Sequence, residues 1–246
     1  MIVCRSLSFS FGTTAALHGL DFDLPRGSLA VLLGPNGSGK STALRLLSGL
    51  LKPPGGAVTI DGIDVASSNP ELKRRLGVVP DRLALLDHLS VEEHAEALGP
   101  IYGLTIAEAG RRSDQLVRLL ALDRFRYTPM ESCSHGTRKK AALLLTLLHA
   151  PKVLLLDEPF EGLDPTSAGA VSELLLRYSE AGATILFTSH ALTVAERIAT
   201  HVLLIDKGRL VWNAAASDLP IPLEDFYHER VEHPDAPEMP WLVPGH

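Results

Sequence analysis

Two stretches of this sequence combine residue types that can do chemistry at a useful spacing. Gly34-Pro35-Asn36-Gly37-Ser38-Gly39-Lys40-Ser41, followed by Thr42, fits the phosphate-loop pattern G-x-x-x-x-G-K-[ST]. Its glycines let successive backbone N–H groups turn inward as an anion nest, and a helix opening at Lys40 adds the positive end of its dipole. The Lys40 ammonium is then placed to reach the β- and γ-phosphates of a nucleotide, and the Ser41 hydroxyl to ligate Mg²⁺. The second stretch is Val153-Leu154-Leu155-Leu156-Asp157-Glu158, an apolar run that ends in paired carboxylates. A buried strand that surfaces with acids beside a phosphate loop suits Asp157 as the Mg²⁺ partner, directly or through a water. Glu158 is then positioned to polarise an attacking water as general base.

Such a loop needs a strand before it and a helix after it. Residues 28–33 form a buried-type apolar run, and residues 40 to about 49 carry helical spacing. Upstream, residues 2–9 and 17–24 alternate apolar with polar, and Pro25-Arg26-Gly27 is a turn signal. Residues 57–60 followed by Asp61-Gly62 add a short strand and a tight turn. Ser90 with Glu93, and Thr105 with Glu108, fit the capping-box pattern, so residues from about 82 to 150 read as a mostly helical insert.

From residue 153 the pattern alternates: strand 153–157, helix 165–180, strand 184–188, helix 192–199, and a closing hairpin over 202–212. This is the βαβ signature of a parallel sheet. The expected fold class is α/β: a P-loop NTPase core with a mixed, largely parallel sheet, an N-terminal antiparallel β subdomain and an inserted helical subdomain. Residues 1–230 read as one domain. Residues 231–246, with Pro234, Pro237, Pro240 and Pro244, read as an extended tail.

Composition narrows the function classes. The chain has 246 residues, 46% hydrophobic and 21% charged, which is ordinary for a globular protein and excludes a disordered chain. With 23 Lys and Arg against 29 Asp and Glu, the net charge of −6 opposes nonspecific binding to a phosphate backbone, so no nucleic-acid partner is expected. The cysteines, Cys4 and Cys133, exclude a disulfide framework and a cysteine-based zinc site. No leader pattern opens the sequence, and its longest near-apolar run, residues 141–148, falls far short of the roughly 20 residues of a membrane helix. A cytoplasmic location is the expectation.

The order of phosphate loop, helical insert, Ser134-His135-Gly136-Thr137, Asp157-Glu158, Gly162-Leu163-Asp164 and His190 resembles the nucleotide-binding subunit of ABC transporters over about residues 2–230. Cys133-Ser134-His135-Gly136-Thr137 is similar to the Leu-Ser-Gly-Gly-Gln signature of that family. It keeps the serine and the second glycine, which the resemblance places against the γ-phosphate held by an opposite subunit. By the same resemblance Asp164 lies in the loop that passes between two active sites, His190 is the switch histidine at the γ-phosphate, and Phe11 is the aromatic on which adenine stacks. The chain departs from the family at Asp81, where a glutamine usually follows the strand and serves Mg²⁺, water and the link to the membrane partner. A carboxylate there is still a possible Mg²⁺ ligand, but it adds negative charge near the γ-phosphate.

The resemblance implies a subunit that binds and hydrolyses ATP with Mg²⁺. It implies an ATP-sandwich dimer, as a homodimer or with a paralogue, driving a separate integral membrane permease from the inner face of the membrane. Residues 89–104 are similar to bacterial drug- and lipid-type exporters. A soluble ABC ATPase working on nucleic acid or ribosomes is disfavoured by the single cassette, the lack of sustained heptads between residues 41 and 133, and the net charge. A P-loop small-molecule kinase would leave Ser134, Asp164 and His190 unexplained.

Overall fold

The computed structural model describes residues 1–54, 57–67 and 69–231; Val231, expected to open the proline-rich tail, is buried at the end of the last described helix, and the rest of that tail lies outside the described residues. The chain opens with β1 (Ile2–Phe11), β2 (Thr14–Leu24) and β3 (Leu29–Leu33), then α1 (Lys40–Leu47), β4 (Val58–Ile60), β5 (Ile63–Asp64), α2 (Pro70–Arg75) and β6 (Leu76–Val79). Helices α3 (Val91–Ile101), α4 (Ile106–Leu119) and α5 (His135–Leu147) follow. The chain continues with β7 (Val153–Leu156), α6 (Pro165–Glu180), β8 (Thr184–Thr188), α7 (Leu192–Ile198), β9 (His201–Asp206), β10 (Arg209–Ala215) and α8 (Leu223–Arg230).

The strands form two sheets. An antiparallel sheet runs β2-β1-β4-β5, and a larger sheet runs β10-β9-β3-β8-β7-β6, parallel except for the β9–β10 hairpin. The central strands are apolar throughout because both faces are covered. Leu29, Val31 and Leu33 of β3 enter the core shared with α3 to α8, while Ala30 and Leu32 point into the core beneath the antiparallel sheet and α1. β7 divides the same way, Leu154 and Leu156 against Val153 and Leu155. Strand periodicity thus assigns each residue to one of two cores.

Some local expectations are refined. α1 stops at Leu47 because Gly49, at φ 74°, turns the chain and donates its N–H to Leu46 O at 3.2 Å. The Ser90–Glu93 box is reciprocal, whereas Thr105 only accepts from the Glu108 N–H, since the Glu108 carboxylate pairs with Arg112. Within the insert the first helix begins at Val91, directly after the Ser90 cap. The preceding loop is pinned by buried His94, whose Nε2 accepts from Leu86 N at 3.0 Å while Nδ1 donates to Ser90 O at 2.7 Å. Helices α2 and α8 were not legible in the sequence. α8 is anchored by Phe226, which meets Trp212 of β10 edge-on at 4.8 Å, with Arg230 over both rings.

Candidate functional site

The loops that leave the C-terminal ends of β3, β7 and β8 converge, as expected for ligand sites in open α/β sheets. β3 ends on Gly34, and α1 starts at Lys40 after Gly39 in a left-handed conformation, φ 108°. Two glycines are forced by crowding. A Cβ on Gly34 would lie 2.1 Å from Ile205 O, and one on Gly39 would lie 2.7 Å from Leu17 Cδ2 and 3.0 Å from Ala16 O. The antiparallel sheet therefore presses directly on the phosphate loop. Ser38 closes it from behind, donating its N–H to Pro35 O and accepting at its carbonyl from Gly208 N.

An open cleft of about 580 Å³ faces this loop, lined by Asn36, Gly37, Gly39, Lys40, Ser41 and Thr42 together with Ala16, Asp81, Asp157, Glu158, Glu161 and His190. Lys40 is buried and folds back, donating to Gly34 O at 2.8 Å and Pro35 O at 3.1 Å. Burial holds its ammonium below the usual lysine value, and the negative charges of Glu158 and Asp157 offset part of that effect.

Asp157 is 4% exposed, and its Oδ1 accepts from the Thr188 hydroxyl at 2.7 Å and the Ser41 hydroxyl at 3.3 Å. Thr188 also accepts from Glu158 N at 2.8 Å, so one hydroxyl orients both acids. Glu158 has φ 47°, an uncommon backbone state for a residue with a Cβ, which turns its carboxylate toward β8. There Glu158 Oε2 lies 2.9 Å from His190 Nδ1 and accepts from His190 N at 3.3 Å. Ser41 and Asp157 are hard oxygen donors of the kind Mg²⁺ takes alongside phosphate oxygens.

The structure thus brings together the phosphate loop, Asp81, Asp157, Glu158 and His190. Phe11 does not line the cleft; it sits half exposed at the end of the β1–β2 hairpin, edge-on to Phe9 at 5.0 Å. Ser134, Gly136 and Asp164 also stand apart. Ser134 caps α5 by accepting from Thr137 N at 3.2 Å, and Asp164 caps α6 by accepting from Thr166 N and Ser167 N, both at 3.0 Å. These two caps belong to one surface, because Gly136 packs on the loop before Asp164: a Cβ at residue 136 would lie 2.6 Å from Gly162 O. The Ser167 hydroxyl, then the Ser167 N–H, holds the Asp164 carboxyl below the usual carboxylate range. Sequence reasoning missed Thr188, whose only signal is a polar residue at the end of a short strand with an apolar centre, and Lys139, a buried lysine within a basic run.

A family model described as ABC transporter matches residues 17–161. The linearmycin resistance ATP-binding protein LnrL of Bacillus subtilis is 30% identical over 219 residues, covering 89% of this chain and 70% of its own length. A solved structure of an ATP binding subunit of an ABC transporter matches with a TM-score of 0.86 and 30% identity, over 93% of this chain and 98% of its own. A dimeric cassette in a post-hydrolysis state, bound to ADP and Pi, matches with a TM-score of 0.80 at 23% identity, over 88% of this chain and 99% of its own, and shares the fold. The chain spans 63% to 70% of the length of the curated bacterial resistance and export relatives LnrL, Nod factor export protein I and DrrA.

Proposed function

The chain belongs to the ABC transporter family and carries its ATP-hydrolysing cassette, and from that premise we propose that it powers separate membrane-spanning subunits through an ATP-sandwich dimer. One observation supports the reading: the phosphate-loop cleft and the two helix caps at Ser134 and Asp164 lie on different surfaces. The cleft offers Lys40, Asp157, Glu158 and His190, while Ser134, Gly136 and Asp164 lie outside it. A second subunit, the same chain or a paralogue, would bring its Ser134 and the N–H groups at the start of α5 to the γ-phosphate, where a helix N-terminus favours anionic charge.

In that assembly Gly34 to Thr42 cradle the phosphates and Phe11 stacks on the adenine. Mg²⁺ is held by Ser41 and Asp157 with the nucleotide's own oxygens, and Asp81 is the further carboxylate within reach of it. Glu158 takes the proton of the attacking water. His190 contributes in two ways: its backbone N–H and its ring both hold the Glu158 carboxylate, and its exposed ring remains open to the γ-phosphate. Residues 1–230 form the ATPase domain in this reading, with the helical part at about 82–150 set against the permease. Among the described residues no helix is long and apolar enough to cross a membrane. The subunit would sit on the cytoplasmic face through its partner, and its relatives' resistance and export names favour an exporter.

The test is Glu158→Gln in light scattering. Blocking the base preserves the γ-phosphate that bridges the subunits, so the variant should be monomeric without nucleotide and dimeric with Mg-ATP. A mass that stays monomeric at saturating ATP refutes a symmetric sandwich.

A further inference from the structure

Lys139 lies in the second turn of α5 and is 2% exposed, an unusual place for an ammonium. Its Nζ donates to the main-chain oxygen of Glu158 at 2.5 Å and lies 3.4 Å from Glu161 Oε2. That carbonyl also accepts from Glu161 N at 3.2 Å, closing the turn that follows the acid pair. Glu158 is therefore held at three points: its N–H by Thr188, its carbonyl by Lys139 and its carboxylate by His190. At φ 47° the residue persists only while its neighbours enforce that conformation. Rotating the Glu158 peptide would re-aim the Cα–Cβ bond and move the carboxylate.

We propose that Lys139 is a positioning residue for hydrolysis, fixing the Glu158 backbone so that its carboxylate is correctly aimed at the attacking water. This rests on the proposed role of Glu158 as general base. The same lysine ties that acid to the surface that would meet a partner. Lys139 is one turn along α5 from His135 and Gly136, and His135 packs its ring over Gly162, with Cδ2 3.0 Å from where a Gly162 Cβ would stand. The Glu158–Gly162 loop and the start of α5 thus pack as one unit.

The experiment measures steady-state ATP turnover of the full chain for Lys139→Met and Lys139→Arg, each in the wild-type and the Glu158→Gln background. Lys139→Met keeps the length of the side chain and removes the donor. It should lower kcat by about 10- to 100-fold, the usual cost of a small misplacement of a reacting group, with KM for ATP within about twofold. Lys139→Arg, which retains a charged donor, should restore most of the loss. In the Glu158→Gln background Lys139→Met should change turnover no further, because the group it aims is gone. An equal fold-loss in both backgrounds, a rise in KM that accounts for the effect, or wild-type kcat in Lys139→Met overturns the proposal. Should Lys139→Met not fold, Lys139→Gln serves: its amide is too short to keep the contact, and an unchanged kcat there is equally fatal. Wild-type turnover in Glu158→Gln alone would remove the general base itself, an outcome distinct from independence of Lys139.

Discussion

Thr188→Val tests how far the acid pair depends on one hydroxyl. The side chain is fully buried, donates to Asp157 Oδ1 at 2.7 Å and accepts from Glu158 N at 2.8 Å. Valine matches its shape, so packing is kept while both bonds vanish. Losing a hydrogen bond to a buried charged group costs about 1.5–3 kcal/mol, and an orphaned buried N–H about 1–3 kcal/mol more. The Ser41 hydroxyl at 3.3 Å compensates only weakly, so the total should be about 2.5–6 kcal/mol. Thr188→Ser keeps the hydroxyl and loses one methyl, at about 1 kcal/mol. The isosteric change should therefore be the more harmful, by about 1.5 kcal/mol or more. Urea unfolding of the three proteins at neutral pH reads this from the midpoints, provided the m-values agree. A valine variant as stable as the serine variant, or more so, refutes the reasoning, since burial and shape alone would then govern the position.

Lys40→Ala should weaken ATP binding by at least about 30-fold in calorimetry while far-UV circular dichroism stays unchanged, because it deletes a charged partner of the phosphates. Asp81→Gln should change kcat more than ATP affinity, since residue 81 borders the reacting end of the cleft and takes no part in the phosphate nest. A rise in turnover marks its charge as an obstacle, a fall with a higher Mg²⁺ requirement marks it as a metal ligand, and no change in either removes it from the site. His149 stacks on Tyr102 at 3.9 Å with both ring nitrogens buried, and burial pushes its pKa down. A depressed histidine favours the folded state fully above its ordinary value of about 6.5 and loses that contribution as pH falls below it. Thermal unfolding between about pH 7 and pH 5 should show the loss, and His149→Phe, which keeps the stack, should flatten it.

What the sequence revealed depended on contiguity. The phosphate loop and Asp157-Glu158 are each one run of chain, so residue type and spacing suffice to name them. Thr188 meets them only because β8 pairs with β7 in parallel, with Leu156 opposite Phe187, and that register is not written in either strand alone. Lys139 was hidden differently. Arg138-Lys139-Lys140 looks like a solvated basic run, yet the turn of α5 that packs on the Glu158 loop buries both lysines. α8 escaped because it begins at a proline without a side-chain cap and buries only Leu223 and Phe226. α2 spans only six residues and buries Leu72 alone, too little for a periodic pattern to register.

The two caps on the far surface also restrict what they can meet. The Ser134 oxygen accepts from Thr137 N, which leaves its own proton available for a phosphate oxygen or for Thr137 Oγ1 at 2.9 Å. Asp164 differs, because a carboxylate held ionised by Ser167 and two backbone N–H groups has no proton to give. Set against a triphosphate it would repel, whereas set against hydroxyls or N–H groups of an opposite phosphate loop it would attract. In the proposed dimer Ser134 must therefore face nucleotide and Asp164 must face protein. The order of these residues along one surface then fixes which way the second subunit is turned.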